Sequence, residues 1–356
     1  MKILIDARIL EYNIRGMGFF VKHIVERISK IDNTNIYILL IKNKKNLKTK
    51  INVGKNFEYY NSNLPIGLND IFFIPFVINF IIKPDVVWFP ANNCSPFIKK
   101  NIKVISTIHD IMFFTQNYKL FSKQYFGALY RKIFSKIAVN RADIINTLTL
   151  HDITLFSNFF NVGADKFFYT YEGANISEDE DNNILNRLNI KKYEYIYTIS
   201  GTSPNKNLNF IIKAFEIFNS LINYKFKFVI TGVNSGNIKI NNPDIIFTDY
   251  ITDAEKNSLL SNCNLFLFLS KDEGFGVPPI EAIYNNCNVL LSNIPNLIEL
   301  YSGYAHFVDI NNEENVAKKM VEILDKKINY NKDDLMKKFS WENAAITILN
   351  KMTEHN

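Results

Sequence analysis

Short apolar runs alternate along the chain with longer segments in which apolar residues recur at helical spacing. The runs that predict strands in the first half are 2–7, 35–41, 86–90, 104–110 and 142–149. The segments that predict helices there are 18–30 and 121–141. Nearly continuous hydrophobic strands separated by helices are typical of a parallel sheet that helices cover on both faces. The first half is therefore predicted to be an α/β domain.

The second half repeats this alternation. Its predicted strands are 193–200, 226–232, 244–250, 264–270, 288–293 and 306–310. Its predicted helices are 208–222, 254–262, 278–286 and 312–327. Between the halves, residues 174–192 are acidic and rich in asparagine, which is typical of a linker. We therefore expect two Rossmann-like domains, 1–174 and 175–339. A terminal helix at about 340–356, with Ser340 as its N-cap, could return to either domain, including back onto the first.

Length and composition agree with two folded domains. The chain has 356 residues, more than one hydrophobic core usually organises, and 47% of them are hydrophobic. The N-terminus does not resemble a signal peptide, and the longest apolar run, residues 71–82, is too short to cross a bilayer. The three cysteines, Cys94, Cys263 and Cys287, do not suggest a disulfide framework. We expect a cytoplasmic location, with peripheral association with the inner face of the cytoplasmic membrane as one form of it.

Charge is distributed unevenly between the halves. Residues 1–170 hold 23 Lys and Arg against 11 Asp and Glu, a net charge of +12. Residues 171–356 hold 18 against 24, a net charge of −6. A basic half indicates an anionic partner, for which nucleic acid, an anionic membrane surface and a phosphorylated substrate are the candidates. Plain solvation of lysine-rich surface loops such as 42–50 is the alternative interpretation.

Two candidate sites follow strands of the first half. RGMG (15–18) lies between the first predicted strand and helix, where Gly16 and Gly18 would let the backbone approach a phosphate. STIHD (106–110) ends the fourth predicted strand, and His109 could provide acid–base or hydrogen-bond chemistry there. A plain strand–helix turn and a structural His-Asp pair are the alternatives, which these residues alone leave open.

Two more candidate sites follow strands of the second half. In SGTSPNKNLNFIIKAF (200–215), Gly201 follows the strand and Lys206 ends the loop, where its ammonium could pair with a diphosphate. KDEGFGVPPIEA (271–282) follows the strand that ends at Ser270 and enters a helix through two prolines. A surface lysine and an acid that merely stabilises a helix start are the alternatives.

Within EGFGVPPIEA, seven residues separate Glu273 from Glu281, and this spacing resembles the EX7E motif of the retaining glycosyltransferases of family 4. The likeness continues in order along most of the chain, through RGMG, IHD, RADIINTLT, GTSPNKNL, VITG, FTDYITDAE, the EX7E segment, SNIPNLIE and FSW. It implies the α/β GT-B fold, with two Rossmann-like domains whose parallel sheets face an inter-domain cleft. The first domain would bind the acceptor and the second the nucleotide sugar.

The resemblance also implies roles for the matching residues. Glu281 would bind the ribose hydroxyls, Glu273 would face the transferred sugar, and Lys206 would neutralise the diphosphate. His109 would contact the donor sugar near the reacting carbon. The implied catalytic residues are His109, Glu273 and Lys206. The implied donor-binding residues are Gly16, Gly201, Lys206, Ser270, Glu273, Gly274, Phe275, Gly276, Val277 and Glu281.

The sequence departs from the family pattern in one loop. Thr202 and Asn205 stand where members often have arginine, so more of the phosphate neutralisation would fall on Lys206. No metal or other cofactor is expected. The acidic string at 179–181 follows no predicted strand, and we interpret it as solvated linker rather than as a metal-binding motif.

The expected activity is transfer of a sugar, with mannose from GDP-mannose as the best guess, to a hydroxyl of a growing bacterial surface glycan such as O-antigen. A lipid-linked glycan acceptor would suit the basic first half, the apolar run 71–82 and the helix 121–141 with Lys123, Arg131, Lys132 and Lys136. An anionic membrane surface is a possible partner, and nucleic acid is not expected. The alternatives are a UDP- or dTDP-sugar donor, a sugar-nucleotide epimerase, a phosphorylase, and a non-enzymatic nucleotide-binding or scaffold protein.

Overall fold

The computed structural model describes residues 1–11, 16–47, 50–62, 69–115, 120–174, 176–223, 226–234, 236 and 240–354. The chain divides into an N-terminal unit, Met1–Gly173 with Ser340–Asn356, and a C-terminal unit, Ala174–Phe339. The division falls beside the boundary at 174/175 that the acidic linker predicts. The terminal helix belongs to the N-terminal unit.

Within its described residues, the N-terminal unit has a seven-stranded parallel sheet of order β3-β2-β1-β4-β5-β6-β7. The strands are β1 Lys2–Asp6, β2 Ile36–Ile41, β3 Phe57–Asn61, β4 Val86–Phe89, β5 Lys103–Thr107, β6 Ile144–Thr147 and β7 Phe167–Tyr169. The helices are α1 Met17–Ile31, α2 Ile74–Phe76, α3 Met112–Thr115, α4 Lys123–Arg141, α5 Leu150–Phe160 and, from the end of the chain, α13 Trp341–Thr353. Leu4, Val87 and Val104 of the central strands are fully buried in the core.

The terminal helix α13 packs against α1. Its first turn is capped by Ser340, whose Oγ accepts from the backbone N–H of Asn343 at 3.3 Å, as the sequence predicts. The indole ring of Trp341 stacks on His23 at a centroid distance of 4.8 Å. A Cβ at Gly173 would lie 2.4 Å from Trp341 Cγ, so glycine is required there for the helix to pack so closely.

The apolar run 71–82 is helical and packs one face into the core. π-helical turns Asn69–Phe73 and Val77–Ile82 flank α2. Ile74 and Ile78 on this segment are fully buried. The opposite face is exposed, with Phe72, Phe76 and Phe80 showing 65%, 52% and 56% of their surface. In the described part of the chain no helix is both long and apolar enough to span a bilayer.

The C-terminal unit contains, among its described residues, a six-stranded parallel sheet of order β10-β9-β8-β11-β12-β13. The strands are β8 Tyr195–Ile199, β9 Lys227–Thr231, β10 Ile245–Phe247, β11 Leu265–Phe268, β12 Asn288–Ser292 and β13 His306–Val308. The helices are α6 Asn183–Arg187, α7 Leu208–Leu221, α8 Asp253–Asn262, α9 Pro278–Tyr284, α10 Pro295–Tyr301, α11 Glu313–Ile323 and α12 Lys332–Lys338. This strand order is that of a Rossmann fold.

The sequence pattern predicts all six strands of this sheet but misses two edge strands of the other. β3 and β7 lie at its two edges; β3, FEYYN, mixes polar and apolar residues, and β7 is only three residues long, so neither shows a long apolar run. The pattern also misses α5, whose residues LHDITLFSNFF include β-branched and aromatic types that disfavour helix. The Thr149 side chain, which accepts from the Asp152 N–H at 3.0 Å, starts that helix.

Candidate functional site

The loops that carry the candidate residues of the C-terminal unit leave neighbouring strands. β8 and β11 are adjacent and parallel, while the chain continues from β8 toward β9 and from β11 toward β12, on opposite sides. Ligands of such sheets bind beyond the carboxyl ends of the strands at this reversal of strand order. Lys206 ends the short turn Pro204–Lys206 after β8, and Glu273 follows β11. The fold therefore places both residues at the topological switch point.

Lys206 and Glu273 form an ion pair. Lys206 Nζ donates to Glu273 Oε1 at 2.6 Å, and 28% of the lysine side chain but only 9% of the glutamate side chain is exposed. The ammonium also lies 5.1 Å from the centroid of the Phe268 ring. The sequence proposed both residues independently, and the fold brings them into contact. A partly exposed ammonium held by a buried carboxylate is placed to meet an incoming anion without being left unpaired beforehand.

Backbone and side-chain hydrogen bonds tie the loop after β8 to the loop after β11. The N–H of Lys271 donates to the carbonyl of Asn205 at 2.8 Å, and Asn205 Nδ2 donates to the carbonyl of Asp272 at 3.3 Å. Asn207 Nδ2 donates to the carbonyl of Leu269 at 3.3 Å. Asn205 and Asn207 thus help to fix the spacing of the two loops in this chain.

Side chains of β12 and α10 donate hydrogen bonds to backbone carbonyls in and just before the EGFGV turn. Asn296 Nδ2 donates to the carbonyls of Glu273 and Gly274 at 2.9 and 3.1 Å. Tyr301 donates its hydroxyl to the carbonyl of Gly276. Ser292 Oγ donates to the carbonyl of Ser270 at 2.6 Å. Sequence reasoning gave these supporting residues no role, although SNIPNLIE, which contains two of them, belongs to the ordered set of motifs.

Of two glycines of the candidate site, Gly276 and Gly201, only Gly276 has close neighbours that would leave little room for a side chain. Gly276 has φ +84°, and a Cβ there would lie 3.1 Å from Phe268 Cε1 and 3.3 Å from Leu297 Cδ2. At Gly201 a Cβ would lie 3.8 Å from Lys206 Cγ, which is ordinary contact. Phe275, which directly precedes Gly276 in the turn, is 4% exposed and packs edge-on against Phe339, with the ring centroids 5.9 Å apart. Its side chain therefore anchors the turn.

Glu281 lies on α9 and is 9% exposed. Its Oε1 accepts from Lys256 Nζ of α8 at 2.8 Å. Burial raises the pKa of Glu281, and the Lys256 ammonium opposes that rise. Sequence reasoning missed Lys256, because a lysine on a predicted helix carries no signal of a partner that is distant in the sequence.

His109 belongs to the N-terminal unit, where it follows β5 and is 5% exposed. Its backbone N–H donates to Asn92 Oδ1 at 2.6 Å, and its Nε2 lies 2.8 Å from the carbonyl oxygen of Pro90. Because a carbonyl only accepts, Nε2 carries the ring proton and Nδ1 is the acceptor in the neutral ring. The Phe20 ring packs edge-on at 5.0 Å, and burial lowers the pKa of His109 to about 4. The imidazole is therefore neutral near pH 7.

Glu172, which the sequence did not single out, faces this imidazole. Its Oε1 lies 3.9 Å from His109 Nδ1, and the residue is 6% exposed. Burial raises the pKa of Glu172 to about 8, so its carboxyl group is largely protonated near neutral pH. A neutral acid next to a neutral imidazole needs no countercharge.

Gly16, the other candidate of the N-terminal unit, is the N-cap of α1. It has φ +47°, and a Cβ there would meet nothing within 4 Å, so the backbone conformation rather than crowding favours glycine. Arg15, which precedes Gly16 in RGMG, lies outside the described residues. In the part of the chain that the structure describes, no group of three or more His, Cys, Asp or Glu side chains is placed to hold a metal ion.

The C-terminal unit thus gathers Gly201, Lys206, Ser270, the turn 273–277 and Glu281 on the loops and the helix that follow β8 and β11. Residues 180–340 match the family described as glycosyl transferases group 1.

Among its relatives, the O-antigen chain mannosyltransferase RfbU of Salmonella typhimurium is 24% identical over 216 residues. The match covers 58% of this chain and 57% of RfbU, so the chain spans little more than half of that relative's length.

Solved structures align over nearly the whole chain. The sucrose-phosphate synthase of Thermosynechococcus elongatus gives a TM-score of 0.72 at 13% identity and covers 98% of this chain and 97% of that chain. Anabaena HepE, solved with UDP and glucose, gives a TM-score of 0.61 at 13% identity and covers 99% of this chain and 96% of that chain. These similarities confirm the predicted α/β GT-B fold.

Proposed function

We propose that the chain is a retaining glycosyltransferase that moves a sugar from a nucleoside diphosphate sugar to a hydroxyl group. The observation that carries this proposal is the Lys206–Glu273 ion pair at the switch point of a glycosyl transferases group 1 domain. HepE, which shares the fold, was solved with UDP and glucose, which supports a nucleotide sugar as the donor.

The geometry suits the charge that develops in this reaction. The bond from the anomeric carbon to the diphosphate breaks, a bond to the acceptor oxygen forms, and the acceptor's proton passes to the departing phosphate. Negative charge grows on the diphosphate, so a prepositioned ammonium there stabilises the transition state more than the ground state. Lys206 supplies that ammonium, and Glu273, which holds it at 2.6 Å, would face the transferred sugar. Glu281 would accept hydrogen bonds from the ribose hydroxyls.

His109 would act as a neutral hydrogen-bonding group toward the donor sugar. Its Nε2–H is engaged by Pro90 and its pKa is lowered to about 4 by burial, so it would not be a cationic acid near neutral pH. No metal ion is part of the proposal. We expect the transfer rate to be unchanged after treatment with EDTA, and a loss restored by a divalent cation would contradict this point.

For the sugar we propose mannose, with GDP-mannose as donor, because RfbU carries the name of a mannosyltransferase. The acceptor we propose is a lipid-linked glycan of the bacterial surface, such as O-antigen. Exposed aromatic side chains support a membrane-bound acceptor, since Phe72, Phe76 and Phe80 share one helical face and Lys99 Nζ lies 4.5 Å from the Phe80 ring centroid. Aromatic and basic side chains together are typical of binding at an anionic membrane surface.

The test is a transfer assay with GDP-mannose, UDP-glucose and a dTDP-sugar, each offered with a lipid-linked glycan extracted from bacterial membranes. The proposal expects a new glycosidic bond from at least one donor, and NMR of the product should show the donor's anomeric configuration. An inverted product, or no transfer from any donor, would contradict it.

A sugar-nucleotide epimerase is the second candidate, because it would use the same fold and the same donor site without an acceptor. Incubation of each donor alone distinguishes the two activities. A transferase leaves the donor's sugar unchanged or hydrolyses it slowly, whereas an epimerase converts it to its epimer.

A further inference from the structure

Glu281 has a cationic partner that the sequence did not indicate. Lys256 Nζ lies 2.8 Å from Glu281 Oε1 and 3.1 Å from Asp253 Oδ1. Only 11% of the Glu281 side chain and 18% of the Lys256 side chain are exposed, while 87% of Asp253 is exposed. Among the described residues, Lys256 is the side chain that hydrogen-bonds the Glu281 carboxylate.

The start of α8 fixes the position of Lys256. Thr252 caps the helix, its Oγ1 accepts from the Glu255 N–H at 3.2 Å, and the Glu255 side chain accepts from the Thr252 N–H at 2.7 Å. Glu255 Oε1 is in turn paired with Arg187 at 2.5 Å. Leu259 and Leu260, one turn further on, are fully buried. The ammonium is therefore presented from a rigid first turn.

An ion pair so largely withdrawn from water is weak evidence for a role in stability. Removing both charges from water costs about as much as their attraction returns, and an apolar pair of similar size is often equally stable. Lys256 has a clearer consequence for the protonation of Glu281. Burial raises the pKa of Glu281, Lys256 opposes this rise, and Asp253 adds to it slightly. The groups that face Glu281 are thus Lys256 and Asp253 from α8 and, more weakly, Tyr197 from β8.

We propose that Lys256 is a positioning residue for nucleotide binding, which keeps the Glu281 carboxylate ionised and oriented to accept hydrogen bonds from ribose hydroxyls. An ionised carboxylate offers only acceptors, whereas a protonated one must place a donor among them. With one oxygen anchored to Lys256, the carboxylate loses little rotational freedom when the ribose binds. The inference rests on the proposed function, in which Glu281 meets the ribose.

The experiment is calorimetric titration of the full chain with GDP and with 2′,3′-dideoxy-GDP, and with the corresponding UDP pair. The wild-type protein should bind the ribonucleotide more tightly than its dideoxy form. Lys256→Met should weaken ribonucleotide binding by about 5- to 50-fold and change dideoxynucleotide binding by less than about twofold. Lys256→Arg should retain most of the preference.

The pH dependence separates this role from a loss of packing. Without Lys256 the pKa of Glu281 should rise further, so the ribonucleotide affinity of Lys256→Met should increase as pH rises and the carboxyl ionises. The ratio of wild-type to variant affinity should therefore shrink as pH rises. Lys319→Met, which removes a partly exposed lysine whose Nζ lies 3.0 Å from Glu322 Oε2, is the matched control and should bind as the wild type does.

A double-mutant cycle guards against misfolding of a single variant. Lys256→Met combined with Glu281→Gln should lose no more ribonucleotide affinity than Glu281→Gln alone. If Lys256→Met binds like the wild type at every pH while Glu281→Gln loses the ribose preference, the inference is wrong and the proposed function stands. If Glu281→Gln also keeps the preference, or the wild type binds neither nucleotide, the proposed role of Glu281 is wrong and the inference falls with it.

Discussion

The backbone of the EGFGV turn passes through a conformation that L side chains rarely adopt. Gly276 has φ +84° and lies against Phe268 and Leu297. Gly303, at the end of the segment after α10, has φ +85°, but a Cβ there would meet nothing within 4 Å. The two glycines therefore share the backbone requirement and differ only in crowding.

Gly276→Ala should destabilise the protein more than Gly303→Ala. The shared left-handed conformation should cost each variant about 1–2 kcal/mol of unfolding free energy. The close contacts at Gly276 should add about 1–3 kcal/mol, because the Phe268 and Leu297 side chains would have to move. Urea unfolding of both variants measures the difference, and equal losses would contradict the crowding at Gly276.

The buried pair of Glu172 and His109 predicts opposite pH effects on stability. The pKa of Glu172 is raised from 4.5 to about 8, so the folded protein keeps a proton that the unfolded chain releases. Stability from this group is lost as pH rises from about 4.5 toward about 8. The pKa of His109 is lowered from 6.5 to about 4, so stability from that group is lost as pH falls through this range.

Glu172→Gln should remove the loss of stability at high pH and leave the loss at low pH, which comes from His109. Relative to the wild type, the variant's unfolding free energy should increase steadily from about pH 5 to about pH 8. Urea unfolding at several pH values gives this difference, and other titrating groups cancel in it. A difference that stays constant across the range would mean that Glu172 is ionised in the folded protein.

At the scale of elements, the hydrophobic pattern predicts the central strands and the long helices but not the contacts between them. β8 and β11 are recognisable because their residues are buried on both faces, and the motifs at their ends identify Lys206 and Glu273. The supports Asn296, Ser292 and Lys256 could not be predicted. Each acts through hydrogen bonds between segments distant in sequence, and local residue pattern carries no information on such contacts.

The proximity of two cysteines is a further contact that spacing along the chain does not reveal. Cys263 ends α8 and Cys287 precedes β12, yet their sulfur atoms lie 2.8 Å apart. Both thiols are free and buried. Parallel pairing of β11 with β12 brings the starts of the two strands together, a register that spacing along the chain does not reveal.

The helix α13 should contribute strongly to the stability of the N-terminal unit through Trp341. Trp341→Ala removes an indole that is 6% exposed and contacts His23, Phe20 and Gly173, so we expect a loss of about 3–5 kcal/mol. Ile346→Ala, on the same helix but 40% exposed, should change stability by less than about 1 kcal/mol. Both tryptophans, Trp88 and Trp341, belong to this unit, so the fluorescence of Trp88 reports its unfolding in the variant. Equal stability of the two variants would exclude a packing role for α13.

At the scale of the whole molecule, the division of charge follows the division of the fold. The excess of 12 positive charges in residues 1–170 falls in the N-terminal unit, and the acidic remainder lies mostly in the C-terminal unit. The exposed aromatic face of the 69–82 segment is in the basic unit. The helix α4 is the second segment for which the sequence suggests contact with a membrane. Its Phe126 and Ile133 are 54% and 47% exposed. The side chain of Lys123 lies outside the described part of the chain.

The full chain should therefore sediment with vesicles that contain anionic lipid and not with neutral vesicles. Binding should weaken as salt rises from about 50 mM to about 500 mM, because screening removes the electrostatic part. Replacing Phe72, Phe76 and Phe80 together by serine should weaken binding at every salt concentration. Absence of binding to anionic vesicles at low salt would contradict the proposal that the protein acts at a membrane surface.

The most direct measurement of the central claim is nucleotide binding by Lys206→Met, titrated with GDP, UDP and dTDP in separate experiments. Lys271→Met is the control, because Lys271 is an exposed neighbour on the loop that carries Glu273. The wild type and Lys271→Met should bind at least one nucleoside diphosphate equally well, and Lys206→Met should bind it about 10- to 100-fold more weakly. Equal affinity of Lys206→Met and the wild type, or no binding by any protein, would contradict a diphosphate site at the ends of β8 and β11.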